Sequence, residues 1–403
     1  MSPLCGPVIA EKFSDLTALL LRHQQLWRGK PFIENHMPWE TEFPQLAEWL
    51  RAQSLEHAEH FQLIPEQIKA PAPFRQWADE LMPLTGVGRF PVELERELPP
   101  RMSAGVPGRK WQQINQFAQA LPQDWFGSDN RWLDWCSGKG YLGRHLAWPN
   151  ACLCCVEHNP QLIQDGQALS ERWAVRAKHA HCDALSPAAD EYLAATSTWV
   201  ALHACGDLHT RLLRKAAEHG VRQLAVAPCC YNRMAADAYQ PLSAAGQRAG
   251  LRLSKDELGI PLQATVTAAA GEVRQRNRMM AWRLGFDRLQ REWRGADTYL
   301  PVPSVANRWA QDSFADWCLA VAQQKAVKPQ PVADWAMAEQ AGWDRLAQVR
   351  NLELVQGLFR RPLELWLLLD MALYLQEQGF AVQLGEFCPQ QLTPRNLLLV
   401  AMR

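Results

Sequence analysis

The chain has no excess of charge of either sign and no apolar run long enough to cross a membrane. Its 403 residues carry 42 Lys and Arg against 42 Asp and Glu, so the formal net charge is zero. This balance gives no general sign of a nucleic acid or an anionic membrane as partner, although a local basic patch is compatible with it. The N-terminus lacks the charged-then-apolar pattern of a secretory signal. These absences predict a cytoplasmic globular protein.

The cysteines give no sign of a metal site or of a disulfide framework. Their number, eleven, is odd, and several lie within an apparent strand at 151–156. In a cytosolic protein such cysteines are typically reduced and buried as small hydrophobic side chains. A zinc site is the alternative, but adjacent cysteines are poor chelators of a single tetrahedral ion. The sequence therefore predicts that no metal is bound.

The order of the apolar runs predicts an α/β fold. Residues 1–104 show helical periodicity broken by proline-containing turns, without a convincing strand. From residue 131 short apolar strands alternate with helices, which is typical of a parallel sheet covered on both faces. The predicted strands are residues 132–136, 151–156, 178–182, 198–203 and 224–227, with helices at 162–176 and 209–218.

The alternation stops after Cys230 for over a hundred residues and resumes near Pro362. A strong helix is followed there by strands at 380–387 and 396–403, which must be antiparallel because the loop between them is short. We therefore predict four segments, namely a helical N-terminal extension at 1–104, the first part of a core at 105–231, an insertion that forms a substrate cap at 232–361, and the end of the core at 362–403.

A glycine turn follows the first of the predicted parallel strands. That strand carries Asp134 and leads into Gly138, Gly140 and Gly143, directly before an amphipathic stretch. Bare backbone N–H groups and small residues at such a turn let a nucleotide-like cofactor approach closely. The spacing suits a nicotinamide dinucleotide as well as S-adenosylmethionine. The antiparallel strands at the end of the chain favour S-adenosylmethionine, because a fold that binds a nicotinamide dinucleotide continues with parallel crossovers.

With Glu157 at the end of its second strand, the chain resembles the class I S-adenosylmethionine-dependent methyltransferases over residues 131–230 and 362–403. The resemblance implies a Rossmann-like sheet with an antiparallel last strand, and S-adenosylmethionine as cofactor. It implies that Asp134, Cys136, Gly138 and Gly140 contact the methionine part, Glu157 the ribose hydroxyls, Asp183 the adenine amino group, and His203 and Cys205 the region of the methyl group. The family often has glycine at the position of Cys136. A solvated strand end for Glu157 and a turn cap for Asp183 are the structural alternatives.

Two further segments resemble a narrower methyltransferase subgroup. Residues 203–210 contain a His-x-Cys-Gly…Thr pattern, and residues 229–231 read Cys-Cys-Tyr. Both are similar to the methyltransferase half of glutathione-S-transferase C-terminal-domain-containing proteins and to the eukaryotic tRNA 2′-O-methyltransferases that act on the acceptor stem. Tyr231 stands where the tRNA enzymes typically have histidine, so their substrate does not carry over directly.

These two segments supply the candidate catalytic residues. His203 titrates near neutrality and is the first candidate for a base or an orienting group, with a histidine satisfied by the backbone as the alternative. Tyr231 and Asn232 could hydrogen-bond the acceptor or merely end the strand. RNA cytosine-5 methyltransferases use a cysteine after one of these strands as a nucleophile, which makes Cys229 and Cys205 further candidates, against the commoner inert cysteine. Cys205 lacks the preceding proline of those enzymes.

The acceptor is open at this level, and three hypotheses stand. The first is methylation of structured tRNA or rRNA, the second is methylation of a protein side chain or small molecule, and the third is a non-catalytic cofactor-binding scaffold. Basic residues that could follow a phosphate backbone are Arg109, Lys110, Arg211, Arg214, Arg274, Arg276 and Arg278. The last group continues in Arg283, Arg288, Arg291 and Arg294, and the alternative for this whole cluster is a solvated helix face with Glu272, Asp287 and Glu292 as nearby partners.

Overall fold

One mixed sheet forms the centre of the fold in this computed structural model, which describes residues 1–92, 97–99, 101–263, 270–302 and 313–403. Within these residues the sheet has eight strands in the order β1-β7-β8-β6-β5-β2-β3-β4. The strands are β1 (Leu4–Cys5), β2 (Arg131–Trp135), β3 (Cys152–Glu157), β4 (Ala177–His181), β5 (Thr198–Leu202), β6 (Gln223–Ala227), β7 (Ala381–Glu386) and β8 (Leu397–Met402).

The helices precede, connect and follow these strands. They are α1 (Val8–Arg22), α2 (Gln24–Trp27), α3 (Pro44–Arg51), α4 (Leu55–Phe61), α5 (Phe74–Thr85), α6 (Gly108–Gln119), α7 (Tyr141–Ala147), α8 (Pro160–Arg172), α9 (Asp190–Ala194), α10 (Asp207–His219), α11 (Ala244–Arg248), α12 (Ala270–Arg294), α13 (Phe314–Gln324), α14 (Trp335–Gly357) and α15 (Arg360–Glu377). In the described residues no helix combines the length and the apolar character needed to cross a bilayer.

The direction of the strands confirms the predicted fold class. Strands β2 to β6 pair in parallel with their neighbours, because a helix returns the chain between them. Strand β8 lies between β6 and β7 and runs antiparallel to both. Parallel strands closed by an antiparallel last strand are the Rossmann-like arrangement of a class I methyltransferase.

The N-terminal region departs from its prediction. The expectation of no strand in residues 1–104 is wrong, because Leu4–Cys5 forms β1 and pairs antiparallel with β7. A strand of two residues is too short to show an alternating pattern, so its pairing depends on the edge that β7 offers. The predicted strands of the core begin and end within one residue of the observed ones.

The chain divides into two compact units along boundaries that differ from the four predicted segments. Unit 1 consists of Met1–Leu21, Leu84–Val266 and Arg360–Arg403, and unit 2 of Arg22–Pro83 and Thr267–Phe359. The predicted N-terminal extension and the predicted insertion are therefore each shared between both units. The predicted insertion also includes residues 264–269 and 303–312, which lie outside the described residues.

In unit 1, the chain that follows β6 is fixed to α15 by a buried carboxylate. Asp370 is fully buried, and its Oδ2 accepts hydrogen bonds from Tyr239 Oη (2.7 Å) and Leu242 N (2.8 Å). Its Oδ1 accepts from the backbone N–H (3.1 Å) and the hydroxyl (2.6 Å) of Ser243. A buried charge is tolerated only when it is satisfied in this way. The contacts hold residues 239–243 in place on the helix that precedes β7.

In unit 2, two long helices approach each other closely at glycines. A Cβ on Gly342 of α14 would lie 2.4 Å from the carbonyl oxygen of Ala281 and 3.0 Å from Gly285 N, both on α12. Trp282 and Trp317 are buried beside this crossing in an apolar cluster of the same unit. Unit 2 therefore has a core of its own.

Candidate active site at the carboxyl end of the sheet

The turn after β2 contains the first group of predicted site residues. Cys136, Gly138 and Gly140 all have positive φ, at 57°, 57° and 69°. This conformation suits glycine and is uncommon for a side chain such as that of Cys136. The Cys136 thiol is half-buried, and its burial, followed by the charges of Glu157 and Asp134, raises its pKa. The thiol is therefore protonated at neutral pH.

The glycines of the turn have different surroundings. A Cβ on Gly140 would lie 2.8 Å from Cys155 Sγ, and one on Gly143 would lie 2.5 Å from Leu153 Cδ1. These two glycines let the turn pack tightly on β3. A Cβ on Gly138 would meet nothing within 4 Å. The space beside Gly138 is open, so a ligand can approach the backbone there.

Asp134 is buried at the end of β2, where its Oδ2 accepts a hydrogen bond from Gly143 N (2.9 Å). Burial raises the pKa of this carboxyl group to about 7, against the opposing effects of the Gly143 hydrogen bond and the nearby Arg144. Asp134 can therefore change its ionisation near neutral pH when a cation such as an ammonium group approaches.

Glu157 ends β3 and ties the turn to the sheet. Its Oε2 accepts a hydrogen bond from Gly138 N (2.9 Å), and its Oε1 accepts from the N–H groups of His158 and Asn159 (3.0 Å each). The carboxylate is buried. Each carboxylate oxygen has two acceptor positions, so Oε2 keeps one for a ligand hydroxyl. The solvated strand end considered for Glu157 does not fit this burial.

Asp183 follows β4 and is exposed. Its Oδ1 accepts a hydrogen bond from Leu185 N (2.9 Å), and its carbonyl oxygen accepts from Ser186 N (2.9 Å). Asp183 therefore caps the turn after β4, as its structural alternative predicts. Only one carboxylate oxygen takes part in the cap, which leaves the other for a ligand amino group.

His203 lies directly after β5 with a positive φ of 67°. Its Nε2 lies 2.8 Å from Gln113 Oε1, and Gln113 Nε2 in turn donates to Leu392 O (3.3 Å). The Gln113 amide is thereby oriented with its oxygen towards the imidazole, so Nε2 carries the proton and Nδ1 keeps its lone pair. Burial, together with the charges of Lys110 and Arg395, lowers the pKa of His203 to about 4. The ring is neutral at physiological pH.

Three cysteines meet beside His203, and we call Cys205, Cys229 and Cys230 the cysteine cluster. The Sγ atoms of Cys205 and Cys229 are 2.9 Å apart, those of Cys229 and Cys230 are 3.7 Å apart, and all three lie within 4.8 Å of one another. The hydrogen bond from Cys229 lowers the pKa of Cys205 to about 6, while the pKa of Cys229 is raised. Of these two thiols, Cys205 therefore has the lower pKa. The raised pKa disfavours Cys229 as the nucleophile. The geometry brings together three possible metal ligands where the sequence predicts none.

A contact between two turns brings these cysteines together. Gly206 has a φ of 55°, and a Cβ there would lie 1.5 Å from the carbonyl oxygen of Arg233. Asp207 N donates to that same oxygen (3.1 Å), and Asp207 Oδ2 accepts from Ala235 N (2.7 Å). The turn after β5 is therefore fixed to the turn after β6, with Cys205 on one and Cys229 on the other.

Tyr231 is bonded to the helix that precedes β7. It is buried, and its hydroxyl donates to Glu364 Oε1 (3.4 Å) on α15. Glu364 is also paired with Arg361 (2.9 Å). The predicted hydrogen bond from Tyr231 to an acceptor does not fit this geometry, because the phenol is already bonded and fixes the end of β6 to α15. Asn232 is half-buried, and no side-chain hydrogen bond to it is formed within the described residues.

The predicted basic residues differ in how they are paired. Arg211 forms an ion pair with Asp190 (3.1 Å), and the guanidinium of Arg278 lies 5.4 Å from the ring centre of Trp282. Arg276 is half-buried on α12. The exposed members of the set are Arg109, Lys110, Arg214 and Arg274. On α12, two of the acidic residues proposed as alternative partners pair with arginines of the same cluster, Asp287 with Arg291 (2.9 Å) and Glu292 with Arg288 (3.2 Å).

Sequence reasoning missed Gln113, Gly206 and Asp207. Gly206 and Asp207 lie within the 203–210 segment, so a signal for them exists, although only the histidine and cysteine of that segment suggested a role. Gln113 lies on α6, 90 residues before His203, and nothing in its local pattern distinguishes it from the neighbouring glutamines.

Comparison with known proteins assigns the reaction class. Residues 109–237 match the model of a family described as a methyltransferase domain. The segment contains β2 to β6 and the sequence-predicted site residues from Asp134 to Asn232. A solved structure titled as coclaurine N-methyltransferase bound to N-methylheliamine and SAH is 13% identical and aligns over 87% of this chain and 88% of that chain, with a TM-score of 0.26. That TM-score is too low to bear on the fold or the substrate.

The family match and the sheet order agree with each other. Residues 109–237 form a methyltransferase domain on a Rossmann-like sheet, and S-adenosylmethionine is its cofactor. The turn fits this cofactor, because Gly138 leaves open space and Glu157 keeps an acceptor position beside it.

Proposed function

We propose that this methyltransferase acts on RNA and holds the acceptor at the carboxyl ends of β5 and β6. The observation that carries the proposal is a pair of exposed cations beside the candidate site. Lys110 lies close enough to His203 to lower its pKa, after the larger effect of burial. Arg233 follows the cysteine cluster in the chain. Within the described residues neither side chain is ion-paired with a carboxylate, so both remain available to phosphate groups.

The cofactor end of the site is proposed to use the β2 turn. Asp134 would face the ammonium group of the methionine part, and Gly138 would let the cofactor approach the backbone. Glu157 Oε2 would accept a ribose hydroxyl, and the second oxygen of Asp183 would accept from the adenine amino group. The bound cofactor supplies an electrophilic methyl group, and the residues of the chain only bind and orient it.

At the acceptor end, His203 is proposed to manage the proton. Its Nδ1 has a free lone pair while Nε2 donates to Gln113, so the ring can accept a hydrogen bond from an acceptor O–H or N–H. The acceptor atom would attack the methyl group that the cofactor would supply, and His203 would hold that atom in line. The acceptor proton passes to Nδ1 and from there to water. With a pKa near 4, His203 chiefly orients the acceptor and receives its proton late.

The deciding experiment uses labelled S-adenosylmethionine and lysate from a deletion strain. After incubation with the purified protein, the lysate is separated into RNA, protein and small-molecule fractions. We expect ribonuclease-sensitive label in the RNA fraction. Label confined to protein or to small molecules would overturn the RNA proposal while leaving the methyltransferase activity intact.

Variants then test the charge argument. Lys110→Ala and Arg233→Ala should each weaken RNA binding and lower the slope of log Kd against log salt concentration by about one. Lys178→Ala is the control. Lys178 lies over a tyrosine ring (Tyr192, 4.8 Å), as Lys110 does (Tyr141, 5.7 Å), but it is on the edge strand β4 and is paired with Glu191 (4.0 Å). Equal effects of all three substitutions would argue against a specific RNA site.

Methylation of a protein side chain or small molecule is the second candidate. It is favoured by the ion pairs that neutralise several of the arginines and lysines of the chain. Arg211 and Lys215 share Asp190 in unit 1, at 3.1 and 2.8 Å, and Arg288 pairs with Glu292 (3.2 Å) in unit 2. Basic residues paired in this way offer less to a phosphate backbone than their number implies.

A further inference from the structure

We propose that the cysteine cluster binds one zinc ion through the three thiolates of Cys205, Cys229 and Cys230, with a fourth position open to water or to an exogenous ligand. Nothing in the proposed methylation of RNA requires this ion, so the proposal goes beyond that function.

The sulfur positions are close to those of a tetrahedral zinc site. Zn–S bonds of about 2.3 Å place the sulfurs of a tetrahedral centre about 3.8 Å apart. The Cys229–Cys230 distance of 3.7 Å already matches this value. The Cys205–Cys229 distance of 2.9 Å must increase by about 1 Å, which a small side-chain rotation provides. Cysteine thiolates are preferred ligands of zinc and of other soft cations.

The backbone that carries the ligands is fixed independently of any ion. Gly206 packs against the Arg233 carbonyl, and Asp207 bonds to the same oxygen and to Ala235 N. The N–H of Arg233 also donates to Cys230 O (3.2 Å). The two turns therefore present their thiols together, and little backbone ordering remains when a metal binds.

The fourth position is open on the protein side. Within the part of the chain that the structure describes, the cluster contains three ligands and no fourth histidine, cysteine or carboxylate. His209, a nearby candidate, is buried with its Nδ1 on Ala204 O (3.2 Å) and its ring edge-on to Tyr231. Three protein ligands and one exchangeable position are typical of catalytic rather than structural zinc sites.

The charge of such a site is balanced locally. Zinc with three thiolates carries a net charge of −1, and the exposed guanidinium of Arg233 belongs to the turn that follows Cys230. The site adjoins the region proposed for the methyl acceptor, because Cys205 Sγ lies 3.4 Å from the carbonyl oxygen of His203. The ion would there take an oxygen, nitrogen or sulfur donor.

The test measures metal binding rather than activity. The reduced protein is stripped with a chelator and titrated with Co²⁺, whose thiolate charge-transfer absorption reports sulfur ligands, and then with Zn²⁺ in competition. We expect one ion per chain with an absorption intensity typical of three thiolates. X-ray absorption spectroscopy of the zinc-loaded wild type gives the same sulfur count without any variant.

Single substitutions locate the site. Cys205→Ser, Cys229→Ser and Cys230→Ser should each weaken zinc binding by at least tenfold, and the control Cys152→Ser, on β3 outside the cluster, should not. Circular dichroism of the metal-free variants checks that they fold. Absence of binding to the wild type, binding unchanged in the triple variant, or a Cys205–Cys229 disulfide in freshly purified protein without metal would each overturn the proposal.

Discussion

At the scale of single residues, Glu157 shows how one side chain can serve both the fold and the cofactor. Its two oxygens accept three backbone N–H groups from the β2 turn and the start of the β3–α8 connection. Without the carboxylate these three N–H groups would lose their acceptor. The order of the turn and the orientation of the acceptor for the ribose therefore depend on the same carboxylate.

Glu157→Gln should weaken binding of S-adenosylmethionine and S-adenosylhomocysteine by about tenfold to a hundredfold. Both oxygens of Glu157 accept backbone N–H groups, so the NH₂ group of the amide would face an N–H group in either orientation. At least one hydrogen bond would be lost, and two donors would oppose each other. Calorimetric titration with both ligands measures the change. Glu171→Gln is the control, because Glu171 is exposed on α8 and accepts from Gln167 alone (2.9 Å). Unchanged affinity in a folded Glu157→Gln variant would contradict this role.

Asp134 predicts a pH dependence of stability with a definite sign. Burial raises its pKa from 3.8 to about 7, so in this interval the folded protein binds a proton that the unfolded chain has released. The stabilisation is complete below pH 3.8 and is lost as the pH rises through 7. Asp134→Asn cannot ionise and should escape this loss.

Urea unfolding of the wild type and of Asp134→Asn between pH 4 and 8 measures this effect. The free energy of unfolding of the variant, relative to wild type, should rise with pH by a few kcal/mol and level off above pH 7. Comparing the two proteins removes the opposite contribution of His179 and His209, whose pKa values burial lowers to about 4. The exposed Asp129→Asn is the control. A flat difference across this range would show that Asp134 is ionised in the folded state.

At the scale of elements, the contact between the turns after β5 and β6 determines the geometry of the acceptor side. Gly206 combines a positive φ with a backbone oxygen where its Cβ would be. The positive φ strains the backbone of any larger residue, and the oxygen leaves no space for its Cβ. The energetic costs of these two effects can be separated by comparison with a glycine that has only the first.

Gly206→Ala should destabilise the protein by several kcal/mol and separate the two turns. Gly250→Ala is the control, because Gly250 has a φ of 72° and a Cβ added there would meet nothing within 4 Å. The control should cost only the strain of a left-handed alanine, about 1 kcal/mol. Chemical denaturation of both variants gives the two values. Equal losses would mean that the contact with Arg233 relaxes at no cost.

The parallel strands of the sheet could be predicted from the sequence, whereas contacts between distant residues could not. Short runs separated by helices predicted the parallel strands within one residue, because a buried parallel strand is mostly apolar. The edge strand β4 is the exception, since Lys178, His179 and His181 are three of its five residues. The direction of Tyr231 could not be predicted, since it depends on Glu364, 133 residues further along the chain. The cysteine cluster was missed for a similar reason, because Cys205 joins Cys229 through a contact between turns that leaves no local pattern.

At the scale of the whole molecule, the chain passes between two compact units, each with its own apolar core. Unit 1 contains the sheet and the proposed cofactor residues from Asp134 to Cys205, while unit 2 contains the crossing of α12 and α14. Units with separate cores often unfold in separate steps. A ligand that binds only one of them stabilises that step alone.

We therefore expect two transitions in differential scanning calorimetry, one of which responds to S-adenosylhomocysteine. Gly342→Ala should lower the Tm of the other transition, because its Cβ would lie 2.4 Å from the Ala281 carbonyl oxygen and force α14 away from α12. Gly271→Ala, on the first turn of α12 with nothing within 4 Å, is the control and should not lower either Tm. In Gly342→Ala, S-adenosylhomocysteine should still raise the Tm of the responsive transition by the same amount as in wild type. If the ligand and the substitution both shift the Tm of one common transition, the two units unfold together. The expectation of separate unfolding steps would then be wrong.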